Sequence, residues 1–269
     1  MTSIHNPLLR LAALFVGTLS LQAVANSDAE LAKQTQNPIA ALISLPLQYN
    51  YDADIGPAKQ GDKSQLNVQP VIPFSIGTDW NLISRTIVPL ISQDDVTPGA
   101  GSQSGVGDIT QSLFFSPKKP TASGWIWGAG PVFLLPTGSD DLTADKWGAG
   151  PTAVFLKQDS GWTYGALANH IWSFAGSDQR RDISATFVQP FLSYTTKSFT
   201  TFGVNTESTY DWKSKQWTVP LNLSVTQLLK VGGQPLTLSA GARYWADSPN
   251  GTGPEGWGFR LALTFLFPK

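Results

Sequence analysis

The sequence contains no cysteine and few charged residues. Cys is 0, so neither disulfide bonds nor thiolate metal sites can form. Charged residues make up 14% of the chain, compared with about 25% in an ordinary soluble protein, and a soluble protein of this length needs a more charged surface. The net charge of -1 gives no basis for binding nucleic acid. No sequence pattern indicates a cofactor.

Long hydrophobic runs are also missing. No stretch reaches the roughly eighteen apolar residues that a membrane-spanning helix needs. The apolar run from Leu11 to Ala25 is short, follows the basic Arg10, and ends in the small-x-small pattern Ala23-Val24-Ala25 that a signal peptidase cleaves. We therefore interpret residues 1–25 as a secretory signal peptide, and we expect the exported chain to have no helical anchor.

The end of the chain shows the clearest pattern. From Trp257 to Phe267 every second residue is large and apolar, and the residues between them include Arg260 and several small side chains. A period of two indicates a β-strand with one apolar face. The alternation lasts about eleven residues, the length that crosses a bilayer at a tilt. It predicts the closing strand of an outer-membrane β-barrel.

The same alternation recurs through the exported chain. We predict strands at 39–51, 65–76, 80–90, 105–115, 125–135, 147–156, 162–172, 183–195, 200–210, 217–229, 236–246 and 257–267. The predicted fold is therefore all-β, an antiparallel outer-membrane barrel of about twelve strands over residues 39–269. Residues 26–38 form a short periplasmic segment before it. Ser27 and Glu30 could cap a short helix in it, and both a frayed leader and a plug or anchor fit that segment.

The connections between predicted strands alternate in length, as in bacterial outer-membrane barrels, where external loops are long and periplasmic turns short. Proline is the main objection, because it removes a ladder hydrogen bond. The prolines inside predicted strands are Pro46, Pro70, Pro73, Pro89, Pro131, Pro151, Pro190 and Pro220. Bulges or earlier strand ends would each accommodate them.

Tryptophan clusters near the predicted strand ends, where its ring suits the boundary between water and lipid. The residues are Trp125, Trp127, Trp147, Trp162, Trp172, Trp212, Trp217, Trp245 and Trp257. We interpret them as aromatic girdles rather than sugar-binding platforms. The expected location is the bacterial outer membrane. The expected partners are its lipid and lipopolysaccharide, and the barrel-assembly machinery, which would recognise the terminal aromatic Phe267.

Strand parity also gives candidate residues for the lumen, because polar side chains opposite apolar neighbours should point inward. The candidates for contact with a small-molecule solute are Asn67, Gln69, Asn81, Arg85, Glu207, Asn222, Arg243 and Arg260. An arginine facing lipid at the midplane would cost about 2–4 kcal/mol. Inside, the arginines could pair with Glu207 or Asp79 and narrow the bore, which in a twelve-stranded barrel should lie between filled and open.

Several segments resemble a known bacterial family. They are GVGDITQSLFFSPKKP, GPVFLLPTGSDDL, KWGAGPTAVFLKQ, WTYGALANHIWSFAG, NTESTYDW, QWTVPLNLSVTQLLKVGGQP and GARYWADSPNGTGPEGWGFRLALTFLFPK. Together they are similar to the family labelled "putative MetA-pathway of phenol degradation", whose members are often described as transporters. The resemblance covers nearly the whole exported chain. It implies an outer-membrane barrel that passes small, hydrophobic or aromatic compounds, and it supplies no defined site residues.

Three functions fit the sequence. The first is a non-enzymatic channel through which solutes diffuse along a narrow polar lumen. The second is an outer-membrane lipid hydrolase. Its only available histidine would be His170, and its serine must come from a neighbouring strand, because Ser173 and Asn169 point to the opposite face from His170. The third is a structural or adhesive barrel with a plugged bore. The acidic loop around Asp140, Asp141 and Asp145 lacks the spacing of a calcium loop.

Overall fold

The computed structural model describes residues 28–97 and 99–268. The predicted signal peptide at residues 1–25 lies outside these residues. The described elements are α1 (Asp28–Thr35), β1 (Ile43–Ile55), β2 (Gly61–Val68), β3 (Val71–Ile76), β4 (Trp80–Asp94), β5 (Ser102–Val106), β6 (Ile109–Pro117), β7 (Trp125–Leu135), β8 (Lys146–Asp159), β9 (Trp162–Gly176), β10 (Ser184–Thr195), β11 (Thr200–Thr206), β12 (Ser208–Asp211), β13 (Gln216–Val231), β14 (Gln234–Asp247) and β15 (Gly256–Phe267).

These segments form one closed antiparallel barrel of twelve strands. Three barrel strands are each interrupted once, so that β2 continues as β3, β5 as β6, and β11 as β12. The barrel closes where β15 pairs with β1, from Ile43 opposite Phe267 to Tyr51 opposite Phe259. The predicted twelve-stranded barrel is confirmed, and its closing strand is the one predicted at the C-terminus.

The two ends of the barrel differ in their connections. At one end the turns are short, for example 77–79, 160–161 and 232–233, although 118–124 is longer. At the other end lie the longer loops 136–145 and 248–255. The short-turn end corresponds to the periplasmic side. α1 and the C-terminal end of β15 lie at this side, since Leu31 of α1 packs against Leu266.

The first strand begins later than the alternation predicts, at Ile43 rather than Ile39. The intervening residues alternate in sequence, but Ile39 and Leu42 are buried among inward-facing side chains of the barrel instead of lying in its wall. The strand also ends later than expected, at Ile55, because Asp52 and its neighbours continue the pairing with β2. Periodicity alone does not distinguish a wall strand from a segment that packs inside.

The prolines are accommodated in both of the expected ways. Pro70 lies in the gap between β2 and β3, where the amide of Gln69 donates to the carbonyl of Pro46 at 2.9 Å. The β13–β14 ladder shifts register between Val219 and Pro220. Pro89 stays within β4 and accepts a hydrogen bond from Gly107, which lies in the gap between β5 and β6. The other in-strand prolines also remain in the wall.

The repeated sequence Gly-Ala-Gly-Pro occupies matching places on β7 and β8, with Pro131 opposite Pro151. At each repeat, the strand loses its regular pairing with its other neighbour. This neighbour is β6 for the repeat on β7 and β9 for the repeat on β8. At these gaps the neighbouring backbone comes very close. A Cβ atom on Gly130 would lie 2.0 Å from the carbonyl oxygen of Leu113, and one on Gly150 would lie 1.7 Å from that of His170.

We expect Gly150→Ala to destabilise the folded barrel by about 1–3 kcal/mol or more, because the added methyl group overlaps backbone that cannot rotate away. The measurement is urea unfolding followed by tryptophan fluorescence in lipid vesicles. Gly203→Ala is the matched control, since its Cβ would meet the flexible Ser224 hydroxyl at 3.0 Å and the Ser193 side chain at 3.8 Å, and neither contact is with backbone. Equal stability of the two variants would contradict the close approach at Gly150.

The outward faces of the strands are apolar. Examples are Phe155, Phe202, Leu223 and Leu261, which are between 47% and 56% exposed. Aromatic pairs border this surface at both ends. Trp80 and Trp127 meet edge to face near the periplasmic turns. The external side carries the pairs Tyr210 with Trp217 and Tyr244 with Trp257.

Trp245 is an exception to the girdle prediction, because it points into the barrel. Its indole Nε1 donates to Asp52 Oδ1 at 2.9 Å, and the Arg243 guanidinium lies over its ring at 4.3 Å from the centroid. The register shift at Val219 and Pro220 lies directly beside it, since Pro220 pairs with Trp245.

Candidate functional site in the bore

The bore contains a segment of the chain before β1, residues 28–42, which we call the plug segment. Leu31 and Ala32 of α1 pack against the inward-facing Leu228 and Leu266. Further along, Ile39 reaches the opposite wall of the barrel. There it joins a cluster formed by Ile83, Phe114, Val154, Leu156 and Leu167. The plug segment therefore crosses the periplasmic half of the lumen.

Polar contacts hold the plug segment at its start. Lys230 Nζ lies 2.5 Å from Asp28 Oδ1, and Gln158 Nε2 donates to the carbonyl of Lys33 at 2.9 Å. The Gln158 side chain also reaches Thr163 on the next strand. The segment for which both a frayed leader and a plug or anchor fit the sequence thus contains a helix, α1, that is docked in the bore.

Three cavities follow one another along the bore. The external cavity of about 260 Å³ lies below the loop residues Thr252 and Pro254. The central cavity of about 490 Å³ shares Glu207 and Arg260 with it. The periplasmic cavity of about 280 Å³ runs between the plug segment and the wall. Gln69 and Arg85 line both the central and the periplasmic cavity.

The structure brings most of the predicted lumen residues to these cavities. Those that line at least one of them are Asn67, Gln69, Arg85, Glu207, Arg243 and Arg260. Asn222 is buried, and its amide donates to Asn205 Oδ1 at 2.8 Å. Asn81 is placed away from the others, near the periplasmic turn, opposite Ser75 and Ser116. Contact of these residues with a solute stays a prediction.

The charged side chains of the bore form a cluster, which we call the lumen charge cluster. It consists of Asp52, Lys63, Arg85, Glu207, Arg243 and Arg260. Arg260 donates two hydrogen bonds to Glu207, at 2.9 and 2.7 Å, and a third to Asn50 at 2.7 Å. Two parallel bonds between guanidinium and carboxylate form the strongest common ion-pair geometry. They hold the walls of β15 and of the β11–β12 strand together across the bore.

Arg243 has a weaker partner. Its Nη1 lies 3.4 Å from Asp52 Oδ2, and its Nε has no hydrogen-bond partner among the described residues. The predicted pairing of an arginine with Glu207 occurs, but pairing with Asp79 does not. Asp79 lies in the periplasmic turn and accepts a hydrogen bond from Thr78.

Sequence reasoning missed two charged members of the cluster, Asp52 and Lys63, because both were placed in an external loop. The signal that could have found Asp52 is parity, since it continues the inward-facing series Gln48 and Asn50. Lys63 likewise shares the inward parity of Gln65 and Asn67, and all three line the external cavity.

The wall of the central cavity has a charged part and a largely apolar part. Arg85, Glu207 and Arg260 come from β4, the β11–β12 strand and β15. The largely apolar part comes from β7, β9, β10 and the residue before β10. Its apolar side chains are Leu134, Leu167, Ile171, Ile183, Ala185 and Phe187, and the polar Asn169 and Gln189 lie on the same strands. The cavity volume falls within the range of about 300–1,000 Å³ that small-molecule sites occupy.

His170 points outward, beside Trp172. Its Nδ1 lies 2.7 Å from Thr186 Oγ1, and its Nε2 lies 3.4 Å from Ser184 Oγ. A serine hydrolase needs a third group, commonly a carboxylate or amide, to orient its histidine. Within the described part of the chain, the contact at Nδ1 is a threonine hydroxyl. The arrangement fits a polar residue at the external interface.

The family comparison matches residues 64–269 to the family described as "Putative MetA-pathway of phenol degradation". The chain belongs to this family. Among solved structures, it is similar to the COG4313 outer membrane channel from Pseudomonas putida F1, with 15% identity and a TM-score of 0.66 over 84% of this chain and 96% of that chain. At this identity the likeness shows the barrel fold.

Weaker likenesses extend to other outer-membrane barrels. The β domain of the Bordetella autotransporter BrkA is 11% identical, with a TM-score of 0.47 over 84% of this chain and 100% of that chain. Outer membrane phospholipase A from Escherichia coli is 9% identical, with a TM-score of 0.49 over 83% and 96%. None of the curated protein sequences compared with the chain is significantly similar to it.

The barrel is a bacterial outer-membrane protein. Its exposed apolar belt and its aromatic borders agree with this location. In the described part of the chain, no helix has the length and apolarity needed to cross a membrane.

Proposed function

We propose that the protein is a passive outer-membrane channel for small solutes, with hydrophobic and aromatic compounds as its substrate class. The observation that carries the proposal is the central cavity, because it offers an apolar wall and a charged wall inside a closed barrel. A solute would enter between the external loops and diffuse past the lumen charge cluster. It would leave along the plug segment.

The shared lining residues support a continuous route. The external and central cavities meet at Glu207 and Arg260, and the central and periplasmic cavities meet at Gln69 and Arg85. The apolar side chains of the central cavity make the lumen less uniformly polar than the sequence predicts. A partly apolar wall suits an aromatic solute, because the apolar surface of the ring can pack against apolar side chains and leave water.

The test is ion conductance in planar bilayers together with swelling of proteoliposomes in small polar solutes. We expect Ala185→Trp to halve the conductance or more, because Ala185 lines the central cavity. Ala153→Trp is the matched control, since Ala153 lies on the exposed outer face of β8. A barrel that is electrically silent and impermeable would overturn the proposal and would favour a structural or adhesive role.

A further inference from the structure

The lumen charge cluster has an excess of positive charge. It contains four cations, Lys63, Arg85, Arg243 and Arg260, and two carboxylates. Both carboxylates are already occupied by protein donors. Glu207 accepts both of its bonds from Arg260, and Asp52 is shared between Arg243 and Trp245.

Two cations of the lumen charge cluster, Lys63 and Arg85, make no ion pair within 4.0 Å among the described residues, and of these two Arg85 is the one that lines the central cavity. The side chain of Arg85 donates one hydrogen bond to these residues, from Nη2 to Gln69 Oε1 at 3.1 Å. A guanidinium carries five N–H donors. The remaining donors of Arg85 therefore face the central and periplasmic cavities, both of which it lines.

The surroundings of Arg85 specify more than a negative charge. Across the central cavity lie Leu134, Leu167, Ile171 and Phe187. A small inorganic anion could satisfy the guanidinium, but it would leave this apolar wall in contact with water. A molecule with a carboxylate at one end and an apolar body at the other would satisfy both walls, because guanidinium binds carboxylate with two parallel hydrogen bonds.

We propose that Arg85 forms an anion-binding site that selects organic monocarboxylates with an apolar or aromatic body. This inference rests on the proposed channel function, since it names the solute class that the central cavity holds. The carboxylate binds at Arg85 in place of water, and the apolar body lies against Leu167 and Phe187. Gln69 holds the guanidinium in position. The Arg260–Glu207 pair does not compete, because each group satisfies the other.

The test is equilibrium binding to the purified full-length protein in detergent, measured by calorimetry with benzoate, benzyl alcohol and inorganic phosphate as probes. We expect benzoate to bind at least about tenfold more tightly than either of the others, the factor that corresponds to one charge-assisted interaction. Arg85→Gln should weaken benzoate binding about tenfold. Arg85→Lys should retain part of the affinity. Arg180→Gln, in an external loop, should leave it unchanged.

Each result decides the proposal. Equal binding of benzoate and benzyl alcohol would overturn it, as would phosphate binding as tightly as benzoate, and neither result depends on a variant that folds. Benzoate binding that survives in Arg85→Gln would also overturn it. Conductance separates the two proposals. Selective benzoate binding to an electrically silent barrel would support the Arg85 site and contradict the channel. Conductance without selective binding would support the channel and contradict the site.

Discussion

Deletion of residues 28–42 is expected to raise the single-channel conductance several-fold, because the plug segment crosses the periplasmic half of the bore. Ile39 contacts the wall opposite the start of β1, so the segment blocks the lumen across its width rather than along one edge. Its removal would join the periplasmic and central cavities into a wider passage. The measurement is single-channel recording in planar bilayers at fixed salt concentration.

A milder variant supports the same reasoning without shortening the chain. Ile39→Asp places a charge among apolar side chains, where an unpaired carboxylate is strongly disfavoured, and should release this contact and produce larger, fluctuating conductance. Ala122→Asp is the control, since it adds the same charge at an exposed position of the periplasmic turn 118–124, outside the bore, and should leave the conductance unchanged. Unchanged conductance in both the deletion and Ile39→Asp would show that ions pass by another route.

The direction of most lumen side chains could be predicted from the sequence, but their partners could not. Alternation in a strand states which face a residue occupies, and this was sufficient to orient Arg85, Arg243 and Arg260. The partner of Arg260 is Glu207, which lies 53 residues away in the chain. That contact depends on register, strand tilt and the width of the closed barrel, and single-strand periodicity contains none of these quantities.

The same limit explains the two misplacements. Trp245 was assigned to the girdle because it lies near a strand end, although it shares the inward parity of Arg243. Its hydrogen bond to Asp52, 193 residues away, cannot be read from one strand. The plug segment was ambiguous because Ile39 and Leu42 have the same apolar character inside the bore as in a lipid-facing strand. Their position is determined by the inward-facing side chains of distant strands, such as Phe114 and Leu266.

The Arg260–Glu207 pair gives the second large expected effect. Glu207→Gln and Arg260→Gln should each lower the free energy of unfolding by about 3 kcal/mol, since removal of one partner leaves the other charge poorly solvated. The side chain of Arg260 is 11% exposed and that of Glu207 is 22% exposed, so screening of the pair by water is limited. The double variant should lose much less than the sum, because it leaves no unpaired charge. Urea unfolding in lipid vesicles measures all four proteins.

Ion selectivity should follow a different rule from stability in these variants. The lumen charge cluster has four cations and two carboxylates, an excess of two positive charges. Glu207→Gln raises this excess and should shift the reversal potential toward anion selectivity. Arg260→Gln should shift it toward cations, and the double variant should return close to the original value.

The exposed pair Lys59 and Glu255 provides the control. Glu255→Gln should change neither the stability nor the selectivity, because both side chains are solvated outside the bore. If the double variant loses as much free energy of unfolding as the two single variants together, the pair does not act as a unit. The contacts of each side chain with other groups must then determine its contribution to stability.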